Sequence, residues 1–217
     1  MKGVLLTLVT IGTLAFPAGA VAQLPGMPLW DSPRAGTGLL VAADVGRPDA
    51  AGGNGSTLAG RVVVGLDALA LGVSVGSRSP DGGPNTTEAG GTAAYRLIGG
   101  SLIPVAVNIQ GGIAGVRGAG YTVRRYTGAL GLSVDLPVPG VSFEPWVAPG
   151  WRLNYTGSTA TQPSTSNTDF GIAGGVTLGF GTFGIHAALD YEKLPAGGHT
   201  TTLGLGVHLD IRPSLGL

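Results

Sequence analysis

Alternation with a period of two residues, carried through segments of about 10–14 residues and broken by turn signals, constrains this chain more than any other feature. Leu58, Gly60, Val62, Val64 and Leu66 share one face, and Ala59, Arg61, Val63 and Gly65 share the other. After Asp67-Ala68, Leu69, Leu71, Val73 and Val75 alternate with Ala70, Gly72, Ser74 and Gly76. Two strands apolar on one side and joined by a minimal turn form a hairpin. The same pattern predicts strands over Thr37 to Gly46, Thr87 to Leu97, Ile103 to Val116, Tyr121 to Leu136, Val141 to Thr156, Asp169 to Phe180, Ile185 to Glu192 and Thr200 to Ile211, ten in all. Convincing 3.6-residue periodicity with helix caps is almost absent.

The connections alternate in kind. Short turns fall at 67–68, 98–102, 137–140 and 181–184, and longer polar stretches at 47–56, 79–86, 157–168 and 193–199, with 117–120 a short exception. Short turns on one rim and longer loops on the other are the signature of a transmembrane β-barrel. An even strand count returns both chain ends to the short-turn rim. Eleven residues at about 3.4 Å each, tilted near 40–45°, rise roughly 26 Å, which matches an outer-membrane apolar band of about 25 Å. The predicted fold is therefore all-β: a closed, antiparallel, up-and-down transmembrane barrel of ten strands, with eight as the alternative count.

Which face looks inward is decided by charge. The chain has 12 basic and 12 acidic residues, 11 % charged in all, with only two Lys and three Glu. A soluble β-protein, the competing reading, clothes its polar face with Lys, Glu and Thr. Here that face carries Gly, Ala, Ser and isolated charges, as a narrow lumen requires, because buried charges must be paired. Arg61, Arg96, Arg125 and Arg152 are expected to pair with Asp135, Glu144, Asp190 and Asp210 inside, with His186 and His208 on the same face. Outward aromatics gather at two levels. Tyr126, Trp151, Tyr155, Phe170 and Tyr191 lie towards the long-loop rim, and Phe143, Phe180 and Phe183 towards the short-turn rim, as membrane interfaces favour. Pro145 and Pro149 predict a bulged or locally unpaired stretch over Phe143 to Gly150, with inward Trp146 filling the lumen there.

Met1-Lys2, the apolar run Val4 to Phe16 and the small-x-small pattern Ala20-Val21-Ala22 read as a cleaved secretory signal peptide, too short to span a bilayer. The expected organisation is a signal peptide over 1–22, an irregular Pro-rich leader over 23–35 and the barrel over 36–217.

Little here carries chemistry. Without Cys there is no disulfide framework, thiolate nucleophile or Cys-based zinc site. Balanced charge with no basic run argues against nucleic acid as a partner. His186, Asp190 and Glu192 share a strand face but spread over some 20 Å at about 3.4 Å per residue, too far to hold one ion. The glycine pairs are followed by no helix and form no phosphate loop. No cofactor, metal site or catalytic constellation is expected.

The segments GRVVVGLDALALGVSVGSRS, GTAAYRLIGGSLIPVAVNIQGGIAG and VSFEPWVAPGWRLNY, following a signal peptide, resemble the small outer-membrane β-barrel proteins of diderm bacteria over about residues 36–211. The resemblance implies eight or ten strands, outer-membrane lipid and the outer-membrane assembly machinery as partners, and a bacterial outer-membrane location. Such proteins commonly end in an aromatic residue. Here Leu203 to Ile211 alternate correctly, but the chain runs on to Leu217. The expected function is a structural or surface-interaction role with an unknown loop partner, then a small passive pore, then a barrel-based hydrolase.

Overall fold

The computed structural model describes residues 23–28, 37–100, 103–118, 121–158, 163–195 and 197–211. The expected signal peptide, the rest of the leader and the chain beyond Ile211 lie outside the described residues.

Ten strands run in sequence order: β1 (Gly38–Pro48), β2 (Ser56–Leu66), β3 (Leu69–Ser79), β4 (Thr86–Gly100), β5 (Ile103–Gly118), β6 (Tyr121–Val134, continued by Leu136–Val138), β7 (Val141–Thr156), β8 (Thr165–Phe180), β9 (Phe183–Lys193) and β10 (His199–Ile211). Each pairs antiparallel with its neighbours, and β10 pairs with β1 from Leu39↔Ile211 to Pro48↔Thr202. The ring is closed, so no strand edge is left for lipid, where an unpaired N–H or C=O would cost several kcal/mol (~). The ten-strand expectation holds, and eight is excluded.

The barrel is sheared. Partners followed from His208 through Ala42, Arg61, Ser74, Gly90 and Ala114 lead to Arg125. The other way, through Gly184, Gly179 and Ser142, they lead to Pro137, twelve residues further down the same strand. A stagger of this kind tilts the strands by roughly 35–45°. Residues far apart in sequence thereby reach one level of the lumen.

Alternation sorts the wall. Leu58, Val62, Val75, Ile109, Leu130, Leu189, Leu205 and Leu209 point outward and are exposed, while Ala42, Ala59, Ala106, Ala114, Ala148 and Ala173 point inward and are buried with polar and charged neighbours. A continuous apolar exterior around every strand is far beyond the few hundred Å² that soluble monomers tolerate. It is the surface of a membrane-spanning barrel, and a soluble sandwich is excluded. The aromatics stand outward at both levels. Trp151 meets Phe170 edge-on, with ring centroids 5.8 Å apart, near the long-loop rim, and Phe183 is paired across the ladder with Phe180 near the other. Tyr155 and Tyr191 are exposed, and Tyr126 and Phe143 are half-buried.

The prolines act on one side of β7 only. Its ladder to β8 is unbroken from Ser142↔Gly179 to Thr156↔Thr165. Its ladder to β6 skips the positions opposite Pro149 and Pro145, which explains why β6 is interrupted before Leu136. The register continues across two gaps, with Val147 and Trp146 still paired to Leu132 and Ser133 between them, so the ladder is interrupted at each proline and the expected bulge is absent. In the lumen, Trp146 is buried against Ala148, Ala173 and Ala188.

Candidate functional site: the lumen

The outer half of the lumen, near the long-loop rim, holds a charge network. Arg152 on β7 donates from Nη2 to Asp190 Oδ1 on β9 at 2.6 Å and from Nη1 to the Gly150 carbonyl at 3.1 Å. Arg152 is 2 % exposed and Asp190 4 %. Gly171, on the strand between them, leaves the guanidinium room, since a Cβ there would stand 2.7 Å from Arg152 Nη1. Arg125 on β6 reaches across the ring to Glu192 on β9, with Nη2–Oε2 at 2.5 Å and Nη1–Oε1 at 3.3 Å. Asn154 links Glu192 to Asp169, which also accepts from Asn167.

The described part of the expected irregular leader lies in this same chamber. Leu24-Pro25-Gly26-Met27 is a type II turn: Pro25 presets the first corner, Gly26 takes φ +76° at the second, and Met27 N donates to Leu24 O at 3.0 Å. Gln23 Nε2 caps the turn on Met27 O at 2.7 Å and also donates to Asp190. Thr57 Oγ1 donates to Pro25 O at 3.2 Å. Leu24 and Met27, both 3 % exposed, pack on Ala59 and Ala114. The wall is cut away to receive the turn. A Cβ at Gly46 would collide with the Gly26 carbonyl, and one at Gly76 would stand 3.0 Å from Leu24 Cδ1. Gln23–Pro28 is thus a plug.

The inner half holds a second cluster at the seam where first and last strands meet. Asp44 on β1 accepts from Arg61 Nε at 3.1 Å and pairs with His186 Nε2 at 2.7 Å. His186 Nδ1 faces His208 Nδ1 at 3.0 Å, and the rings stack at 26°. One of these two nitrogens must carry the proton. Gly184 and Gly206 make space for the rings, because side chains there would collide with His208 and His186.

Of the charges singled out in the sequence, the structure joins Arg152 to Asp190. Arg125 goes to Glu192, Arg61 to Asp44, and Arg96 to Asp67 at 2.9 Å in the β2–β3 turn, where Asp67 is exposed. Arg61 and Arg96 take acids on or beside a neighbouring strand, Asp44 diagonally across the β1–β2 ladder and Asp67 in the turn next to β3, while Arg125 reaches Glu192 because the shear brings β9 to its level. Glu144 is buried, and Asp135 and Asp210 are half-buried near the short-turn rim. His186 is oriented by a carboxylate, as a general base would be. Its second ring nitrogen, however, faces another histidine and not a nucleophile. Among the described residues no three His, Asp or Glu side chains converge to hold a metal ion.

Asp169 and Gln23 were not expected in the network. Parity along β8 places Asp169 inward, and Pro25-Gly26 is a turn signal, but nothing in the sequence marks Gln23.

No protein-family model matches the chain, and no curated protein matches it. Among solved structures it is similar to the attachment invasion locus protein Ail of Yersinia pestis, with 17 % identity, a TM-score of 0.41 and coverage of 81 % of this chain and 99 % of that one. It is similar also to the N-terminal β-barrel domain of Pseudomonas aeruginosa OprF, with 15 % identity, a TM-score of 0.38 and the same coverages. LpxR from Salmonella typhimurium gives 12 % identity and a TM-score of 0.43 over 72 % of this chain and 74 % of that one. What makes this chain an outer-membrane β-barrel is its own closed ladder, apolar exterior and polar lumen.

Proposed function

We propose that this integral outer-membrane barrel has a structural or surface-interaction role, with a lumen closed by its own residues and the long-loop rim as its working surface. The observation that carries this reading is the plug Gln23–Pro28, seated in the outer chamber beside the Arg125–Glu192 and Arg152–Asp190 pairs. A passive pore would require that segment to leave. A hydrolase would require a nucleophile within reach of His186 Nδ1, where His208 stands instead.

The first long loop fits a presented surface. Asp49 accepts from Thr200 Oγ1 and Thr201 N, both at 2.8 Å, and Arg78 donates to the Gly52 carbonyl at 2.7 Å. The loop is thereby held to the rim on both sides. Outer-membrane lipid and the outer-membrane assembly machinery are the proposed partners of the wall, and the loops' own partner is a separate protein or surface.

Planar-bilayer conductance tests the reading. Protein extracted from membranes, and shown to be folded by a boiled-against-unboiled shift in gel mobility, is expected to insert without steady ion current. A stable open channel in the unaltered chain would replace this proposal with the pore. Hydrolysis of a lipid or peptide bond abolished by His186→Ala would replace it with the enzyme.

A further inference from the structure

The outer chamber has one carboxylate too many. Four carboxylates face into it, Glu88, Asp169, Asp190 and Glu192, against three guanidiniums, Arg78, Arg125 and Arg152. Arg125 and Arg152 pair with Glu192 and Asp190, Asp169 accepts from two asparagines, and Glu88 alone of the four has no hydrogen bond among the described residues. It is 0 % exposed, and neither of its oxygens has a hydrogen-bond partner among the described residues. Arg125 gives its Nη groups to Glu192, Asn154 and Gln23 and Arg78 gives Nη2 to Gly52, and although the Nε of each is buried without a partner among the described residues, neither guanidinium hydrogen-bonds Glu88. A carboxylate buried without a donor is among the costliest arrangements a fold can hold.

A cation of the right size comes with the plug. Glu88 is paired across the ladder with Gly76, and the Leu24 side chain lies over Gly76. Gln23 precedes Leu24 and meets Arg125 Nη2 at 3.5 Å. Removal of the expected signal peptide after Ala22 would create an α-ammonium on Gln23 with three donor protons, in a chamber short of one positive charge.

We infer that the outer chamber is a binding site for the chain's own mature N-terminus, with the α-ammonium of Gln23 as the partner of Glu88. An uncleaved chain carries an uncharged peptide nitrogen at Gln23, so the plug locks only after processing. The inference rests on the plugged-barrel reading above and adds the charge that holds the plug.

Competitive acetylation of the mature protein tests it. Once Lys2 is removed, Lys193 is the only lysine. It is exposed at the rim and serves as the internal reference. The protein is extracted from membranes, checked for folding by the gel shift, treated with limiting acetic anhydride, and the Gln23 and Lys193 peptides are compared by mass. The α-amine is expected to react more slowly, relative to Lys193, than in the boiled protein. Glu88→Gln should restore its reactivity by a factor of about 10 to 100, the scale of one charge-assisted hydrogen bond. Gly46→Leu, which displaces the turn through the Gly26 carbonyl and leaves Glu88 untouched, should do the same.

Equal reactivity of the amine in the folded and boiled protein overturns the inference. So does unchanged protection in Glu88→Gln, or a mature chain that begins elsewhere or has cyclised its N-terminal glutamine. Loss of the gel shift itself would overturn the barrel reading, a failure distinct from these.

Discussion

In the outer half of the lumen the charges are matched across the ring, Arg125 to Glu192 and Arg152 to Asp190, between strands separated by one or two others. In the inner half Asp44 is shared by Arg61 on the next strand and His186 beyond the seam, and His208 completes the stack. The outer network joins β6, β7 and β9 to a segment that precedes the barrel. The inner one joins β9, β10, β1 and β2, so it spans the closure itself. Buried side-chain polar atoms without a partner among the described residues occur in both halves, on Glu88, Arg78, Arg125 and Arg152 in the outer one and on Asn108 and Ser133 along the inner wall. Buried polar groups of that kind take ordered water. One half is locked by cross-ring charge pairs and by the plug, and the other by one carboxylate and two stacked imidazoles across the seam.

The strongest way to break the contrast is to unpair the outer half. Arg152→Met keeps the length of the side chain and strips Asp190 of its guanidinium. Leaving one partner of a buried ion pair uncompensated costs about 3–5 kcal/mol. The urea midpoint of the lipid-reconstituted barrel should fall accordingly, and adding Asp190→Asn should restore much of the loss. A midpoint unmoved by Arg152→Met would mean that the outer pairs contribute nothing.

The inner half should yield less. His186→Leu leaves Asp44 its bond to Arg61, so the cost is that of one hydrogen bond to a charged group, about 1.5–3 kcal/mol. Because the bond spans the β10–β1 seam, the temperature at which the folded gel band disappears should also drop. If His186→Leu costs as much as Arg152→Met, the two halves do not differ.

Most of the architecture was legible because a two-residue period has one consequence for every strand: slipping the register by one would turn each Leu and Val into the lumen. Turn residues then gave the rims, and Pro145 and Pro149 gave the broken ladder. The pairing inside was less legible. Parity places Asp44, Glu88 and Glu192 inward, but that Glu192 meets Arg125, three strands away, depends on the stagger of twelve residues, a property of closure that no single hairpin reveals. The plug was the least legible. Leu24-Pro25-Gly26-Met27 states its turn plainly, yet its seat is written elsewhere, in the missing side chains of Gly46 and Gly76.

The plug's own hold is divided among small contacts, so a single one should matter modestly. Thr57→Val removes the donor to the Pro25 carbonyl and preserves the shape of the wall. A neutral hydrogen bond is worth about 0.5–1.5 kcal/mol. Global unfolding should barely change. Hydrogen exchange of the Met27 amide, which closes the turn on Leu24, should quicken by up to about tenfold, since local opening is governed by local contacts. An unchanged Met27 rate would place the hold entirely on Gln23 and the apolar pair.

The smallest effect belongs to the rim and sharpens the comparison by lying outside both halves. Burial of Asp49 favours its neutral form, but hydrogen bonds from Thr200, Gly52, Thr201 and Ala51 outweigh it and hold the carboxyl below its ordinary value of 3.8. A carboxyl whose folded pKa is depressed contributes stability that is fully present above the unfolded value and disappears as pH falls through the folded one. The contribution of Asp49 is therefore constant from neutrality down to about pH 5 and declines below about pH 4. Urea midpoints of the unaltered chain and of Asp49→Asn should be separated by a constant gap above pH 5 and converge towards pH 3. Because the group stands at the solvent-facing rim, the gap should be slight beside that of Arg152→Met. A gap that widens on acidification would mean that the loop is held by something other than the Asp49 carboxylate.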